Sequence, residues 1–311
     1  MKLVIQIPCL NEAESLPKTL ADLPKHIDGV DDIQILVIDD GSADNTSAVA
    51  QEHGVHHIVK FTKKKGLARV FQAGLDAALA MGADIIVNTD ADGQYKGEDI
   101  PRLVKPILEG KADIVIGNRD IENVKQFSFI KKRLQNLGSW VVRQLSGTSI
   151  LDATTGFRAY NREAALNLNI ISEYTYTLES IIQAEHKNLA IANITITTNE
   201  VHRPSRLFKS IPEYIKRSIL TIIRVYSMFN PLRLFLTIGS GLSLLGFLIG
   251  CRFLYYFIMG SGEGKIQSLI LAAVFMIIGF QILVIGLVSD LISANRRLIE
   301  DILLRVKKSG M

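Results

Sequence analysis

Asp90 and Asp92 stand just past the apolar run at residues 85–87, separated by one alanine in NTDADGQY. In an extended segment, residues i and i+2 point the same way, so the two carboxylates face one space. Carboxylates that close repel one another unless a cation lies between them. Mg2+ and Mn2+ favour such hard oxygens and typically take one or two carboxylates together with substrate phosphates. The pair therefore reads as half of a metal–diphosphate site. Asp39, Asp40 and Gly41 close a second apolar run, IQILVIDDG, in the same manner.

Other chemistries drop out on motif grounds. After the first apolar run the chain reads IPCLNEAES, without the G-x-G-x-x-G of dinucleotide binding. The sequence contains no G-x-x-x-x-G-K-[ST] phosphate loop and no G-x-S-x-G nucleophile elbow. His56 and His57 precede a strand-like run and read as structural or solvated. The two cysteines, Cys9 and Cys251, lack metal-site spacing and are expected to be reduced thiols. A net charge of +4 on 311 residues gives no argument for nucleic acid.

The elements that must position the carboxylates alternate along the first part of the chain. KLVIQI, IQILVID, HHIVKF, ADIIVNTD and ADIVIG are β-branched and nearly continuous in hydrophobicity, as strands covered on both faces are. ESLPKTLADL, ADNTSAVAQEH, GLARVFQAGLDAALAMG and GEDIPRLVKPILEG show helical spacing, several behind residues suited to N-caps. This alternation predicts an α/β fold with a mostly parallel sheet, and such sheets bind ligands at the carboxyl ends of their strands. All four aspartates fall at such ends.

The C-terminal part reads differently. Residues 234–259 are apolar except for Arg252, and residues 266–288 carry no charge. Each stretch exceeds the roughly 20 residues needed to cross a bilayer, and the GSGEGK link makes them a hairpin. Basic residues gather before the first stretch (Lys209, Lys216, Arg217, Arg224, Arg233) and after the second (Arg296, Arg297, Arg305, Lys307, Lys308), with only Lys265 in the link. The positive-inside rule predicts a two-span plasma-membrane protein with its catalytic domain and both termini cytoplasmic. Ile211, Ile215, Ile219, Ile222 and Tyr226 recur at helical intervals among basic residues, as in a helix at the membrane interface. The expected organisation is a catalytic domain at 1–207, amphipathic interfacial helices at 208–232, a hairpin at 233–292 (spans about 234–259 and 266–289) and a basic tail at 293–311. Two thin spans also leave room for homo-oligomerisation in the membrane.

Six motifs in order, IPCLNEAESL, VIDDGSADNT, KKKGLARVFQAGLDAA, NTDADGQY, VIGNRD and DATTGFRAYNREA, resemble family 2 glycosyltransferases of the GT-A fold. Within them the chain is most similar to the dolichyl-phosphate mannose synthase and polyprenyl-phosphate glycosyltransferase branch. The resemblance implies that Pro8, Asn11, Glu12, Asp39 and Asp40 contact the nucleotide, with Lys65 and Arg69 near the donor. It implies that Asp90, Asp92 and Gln94 serve Mg2+ or Mn2+ and the diphosphate, with Asp90 and Asp92 catalytic. It assigns Arg119, Arg133, Arg203 and Ser205 to the acceptor phosphate. Relatives often show glycine-serine after that last arginine, whereas this chain has Pro204 and Ser205. The Q-x-x-R-W motif of processive polysaccharide synthases is absent, which points to transfer of a single sugar.

The expected reaction is inverting transfer from a nucleotide sugar to polyprenyl phosphate (undecaprenyl or dolichyl). Departure of the diphosphate builds negative charge that a metal stabilises, while a phosphate acceptor is already an oxyanion near neutral pH. The two-span architecture favours a UDP-hexose over GDP-mannose. Two rivals stand beside this reading. One is transfer to a lipid hydroxyl, with Asp152 or Asp92 as base; the other is an inactive membrane partner.

Overall fold

The computed structural model describes residues 1–119, 139–140, 143, 150–172, 175–199, 211–260 and 266–309. It divides into two compact units, Met1–Ile223 with Leu304–Met311, and Arg224–Leu303.

The first unit is built on a seven-stranded sheet. Its strands are β1 (Lys2–Cys9), β2 (Asp32–Asp39), β3 (His57–Lys60), β4 (Ile85–Asn88), β5 (Ile114–Asn118), β6 (Arg158–Asn161) and β7 (Ile191–Thr195), in the order β3-β2-β1-β4-β6-β5-β7. The first five coincide with the runs expected from sequence. Between them lie the helices α1 (Leu16–Ala21), α2 (Thr46–Glu52), α3 (Leu67–Ala80) and α4 (Ile100–Leu108), followed by α5 (Arg162–Asn167) and α6 (Thr177–His186). Alternate strand residues feed two cores. Val4, Leu36, Ile38 and Ile86 pack with Phe71 and Leu75 of α3, while Leu3, Ile5, Val37, Ile85 and Val87 pack with Leu103 and Val104 of α4. A sheet with both faces covered explains why its strands read as continuous apolar runs.

Two strands, β6 and β7, are not among the runs that the sequence predicts. β6 runs antiparallel to both β4 and β5, and its sequence, RAYN, carries the fully buried Arg158. An arginine inside a strand hides the hydrophobic signal by which strands are found. Ser15 and Asp99, at the N-caps of α1 and α4, make no side-chain cap: Ser15 Oγ donates to Glu12, and Asp99 takes hydrogen bonds from Arg102 and Thr197. The side-chain cap seen is Asn161 on α5, which accepts from Ala164 N–H at 2.7 Å.

Three long helices follow: α7 (Ile211–Phe229), α8 (Pro231–Ile258) and α9 (Ile266–Ser309). α8 and α9 are each long and apolar enough to cross a membrane, and only 11% and 17% of their most apolar windows are buried. That exposure argues against ordinary core helices. α9 continues without a break through the residues expected to form a separate tail. The buried positions of α9 are Ala272, Gly279, Gly286 and Ser293, each seven residues after the last. Gly279 and Ala272 face Gly239 and Gly246, the buried glycines of α8, where a Cβ would come within 2.9 Å of Gly279 O and 2.8 Å of Ala272 O respectively, and Gly286 faces Phe235. A seven-residue small-side-chain repeat is the pattern of closely approached, supercoiled helices. In the first unit, Ile222 and Leu304 pack on the α3 side of the sheet core, while Ile219, Leu220 and Ile223 are exposed. Lys307 pairs with Asp76 at 2.8 Å and Lys308 with Glu163 at 2.9 Å.

Candidate active site

β1 lies between β2 and β4 and runs parallel to both, so the three carboxyl ends form one rim. Cys9 pairs with Asp39, and Gln6 pairs with Asn88, two residues before Asp90. Asp39, Asp40, Asp90 and Asp92 thus come to one edge of the sheet, as the strand reading required.

The loop after β1 is stitched to the loop after β2. Asn11, at a positive φ of 56°, donates from its backbone N–H to Ser42 Oγ at 2.9 Å and accepts from Ala43 N–H at 2.8 Å. Glu12 is buried, and its N–H reaches Thr46 Oγ1 at 2.9 Å. Pro8 sits half-buried in β1, next to this platform. Asp39 is fully buried and accepts from Ser42 N–H and Ser47 Oγ. Asp40 accepts from the N–H groups of Lys65 and Gly66, drawing the lysine loop onto the same platform. The Lys65 side chain is exposed there, as is Arg69 in the first turns of α3.

Gly41 makes that closure fit. Its φ is +74°, and a Cβ would meet the Lys63 carbonyl carbon at 2.8 Å and Lys64 N at 3.0 Å. Gly41→Ala is expected to cost about 1–3 kcal/mol in backbone strain and to push the lysine loop off Asp40. Thermal unfolding and calorimetric titration with nucleotide should both register the change; wild-type values in both would show that this approach does not shape the site.

On the neighbouring strand, Asp90 and Asp92 are half-buried. Asp92 Oδ1 accepts from Gln94 N–H at 3.0 Å. Asn199 holds the same turn, donating to Gln94 O at 2.9 Å and to Gly93 O at 3.0 Å. The chain from Asn199 leads on to Arg203 and Ser205, which, like Arg133, lie outside the described residues. Arg119 follows β5 and is 8% exposed. Its Nε and Nη2 reach the two oxygens of the fully buried Asp152 at 2.6 and 3.1 Å, and Nη2 also donates to Thr154 at 2.7 Å. Burial alone would raise the Asp152 carboxyl, but the Arg119 guanidinium outweighs it and holds the group below the usual carboxylate range.

Sequence reasoning did not find the wall behind Asp90. Gly156, Tyr95 and Tyr176 line it: a Cβ on Gly156 would lie 3.0 Å from Asp90 Oδ1 and 2.9 Å from the Tyr176 hydroxyl. Burial pushes the hydroxyls of Tyr95 and Tyr176 well above the ordinary tyrosine range, and Asp90 pushes them further the same way. Both remain neutral hydroxyls. A glycine immediately before the Phe157–Arg158 pair was the available signal, and without the fold it looks like any loop glycine. Among the described residues no three His, Cys, Asp or Glu side chains form a metal cluster. Two aspartates on one turn, one of them beside a glycine that leaves its oxygen uncrowded, are hard donors that suit a divalent cation completed by diphosphate oxygens.

Comparison with known proteins agrees with this geometry. Residues 4–168 match the family described as glycosyl transferase family 2. The chain belongs to that family and is a glycosyltransferase. It is 32% identical over 207 residues to an undecaprenyl-phosphate mannosyltransferase of Micrococcus luteus, covering 63% of this chain and 83% of the relative. It is 30% identical over 217 residues to a UDP-N-acetylglucosamine–dolichyl-phosphate N-acetylglucosaminyltransferase of Methanococcus voltae, covering 62% and 83%. Among solved structures it is similar to glucosyl-3-phosphoglycerate synthase from Mycobacterium tuberculosis, crystallised with Mn2+, UDP and glucosyl-3-phosphoglycerate. That likeness has a TM-score of 0.57 at 20% identity and covers 73% of this chain and 80% of that one. It is a likeness of fold, and the fold is GT-A.

Proposed function

We propose that this chain is a membrane-anchored, inverting glycosyltransferase that moves one sugar from a UDP-sugar to a polyprenyl phosphate. The observation that carries the reading is the shared rim of β2, β1 and β4. There the Asp39–Asp40 loop, the first loop and the D-x-D turn meet in a family 2 glycosyltransferase. The relatives named for undecaprenyl-phosphate and dolichyl-phosphate support the acceptor class, and the one named for UDP-N-acetylglucosamine supports the donor. The exposed apolar lengths of α8 and α9 support the anchor, and basic flanks support cytoplasmic termini.

In this reading the platform around Asn11, Asp39 and Asp40 seats the nucleotide, with Lys65 and Arg69 beside its phosphates. Asp90 and Asp92, with Gln94, would hold Mg2+ or Mn2+, which supplies positive charge against the departing diphosphate. An acceptor phosphate oxygen forms the new bond to the anomeric carbon as the bond to the nucleoside diphosphate breaks. The electron pair leaves with the diphosphate, and in-line approach inverts the anomeric centre. Arg133, Arg203 and Ser205 remain the acceptor-phosphate residues implied by resemblance. A hydroxyl acceptor would need a base, and Asp152 is sealed against Arg119, which favours the phosphate.

The test is incorporation of label from UDP-glucose, UDP-N-acetylglucosamine or GDP-mannose into polyprenyl phosphate by protein-containing membranes. A UDP-sugar should give an organic-extractable product that mild acid releases. Label from GDP-mannose alone would overturn the donor assignment. An acid-stable lipid product would overturn the acceptor.

A further inference from the structure

The wall behind Asp90 is more elaborate than a core needs. Gly156 N–H donates to the Tyr95 hydroxyl oxygen at 3.1 Å. Its carbonyl accepts from Asn88 Nδ2 at 2.8 Å and from the Tyr176 hydroxyl at 3.2 Å. Asn88 also donates to the Tyr176 oxygen at 2.9 Å and accepts from Gln6 Nε2 at 2.9 Å. All four side chains are buried. The two rings that carry the hydroxyls are fixed by stacking, Tyr176 on Phe71 at 3.7 Å and Tyr95 on Phe157 at 5.0 Å between centroids.

Much of the core on either face of the sheet is aliphatic, and aliphatic side chains fold a core without polar partners. Here polar groups from β4, the turn after it and the start of α6 converge on Gly156, with Gln6 of β1 behind Asn88, and a Cβ on Gly156 would lie 3.0 Å from Asp90 Oδ1. We infer that Gln6, Asn88, Tyr95 and Tyr176 form a cage that holds Gly156 against Asp90 and so sets where that carboxylate stands for a divalent cation. This rests on the reading of Asp90 as a metal carboxylate given above. These are positioning residues: partners that orient a ligating group commonly change metal affinity by about 10–100-fold.

The experiment measures free Mn2+ by electron paramagnetic resonance during titration of purified full-length protein, with UDP and separately with GDP. Gly156→Ala should weaken Mn2+ binding about 10–100-fold. Tyr95→Phe keeps the ring stack, removes the acceptor of Gly156 N–H, and should weaken binding by less. Gly156→Ala combined with Tyr176→Phe removes the hydroxyl contact but leaves the methyl against Asp90. It should regain unfolding temperature without regaining Mn2+ affinity. Wild-type affinity in all three variants, or affinity that falls and returns in step with unfolding temperature, would overturn the inference. So would a wild type that binds no Mn2+ with either nucleotide. No lipid enters the assay, so failure of the proposed acceptor would leave these results standing.

Discussion

Asp92→Asn is expected to lower sugar transfer by at least about 100-fold, the scale on which removing one preorganised electrostatic contact acts. The physical reason is charge. Asparagine keeps an oxygen able to accept from Gln94 N–H, now at 3.0 Å, so the turn survives, but it removes the negative charge that a divalent cation requires. Unfolding temperature should change little, because Asp92 is only half-buried and such a hydrogen bond contributes about 1 kcal/mol. Asp90→Asn should behave alike in activity. Excess EDTA should abolish transfer by the wild type, and Mg2+ or Mn2+ should restore it. Full activity of the wild type in EDTA, or of Asp92→Asn without it, would end the metal assignment.

Arg119→Ala is expected to act first on stability. The side chain is engaged with Asp152, whose carboxylate is fully buried; deleting the arginine leaves that charge without its counter-ion, at a cost of about 3–5 kcal/mol. The loop carrying Thr154 and Gly156 loses its anchor with it. Replacing both partners by apolar residues of similar volume should recover much of the loss, since an unpaired buried charge costs more than an absent pair. Differential scanning calorimetry of the single and double variants checks this. If Arg119→Ala keeps the wild-type unfolding temperature while the acceptor KM rises, the arginine grips the lipid phosphate directly. The family resemblance implied that role before its position was known.

The sequence by itself determined the strands β1 to β5, the helices between them, the apolar lengths at the C-terminal end and the ordered motifs of the family. Each is written in local signals: continuous β-branched runs, helical periodicity, charge-free stretches longer than a bilayer core. It also determined that Asp39, Asp40, Asp90 and Asp92 share one edge, because strand ends of a parallel sheet lie together. Only the tertiary structure decided what those carboxylates do there. Asp39 accepts from the Ser47 hydroxyl and Asp40 from Gly66 N–H, partners eight and twenty-six residues downstream. Arg119, which the resemblance assigns to the acceptor phosphate, is closed over Asp152 by a contact spanning thirty-three residues. The strand β6 escaped notice because Arg158 interrupts its hydrophobic pattern. Its four hydrogen bonds go to Ala153, Thr155, Thr177 and Ser180, groups brought together only by the fold. Gly156 was invisible for the same reason. Its meaning is the absence of a side chain where Asp90 and Tyr176 arrive from distant parts of the chain, and no local pattern encodes a space.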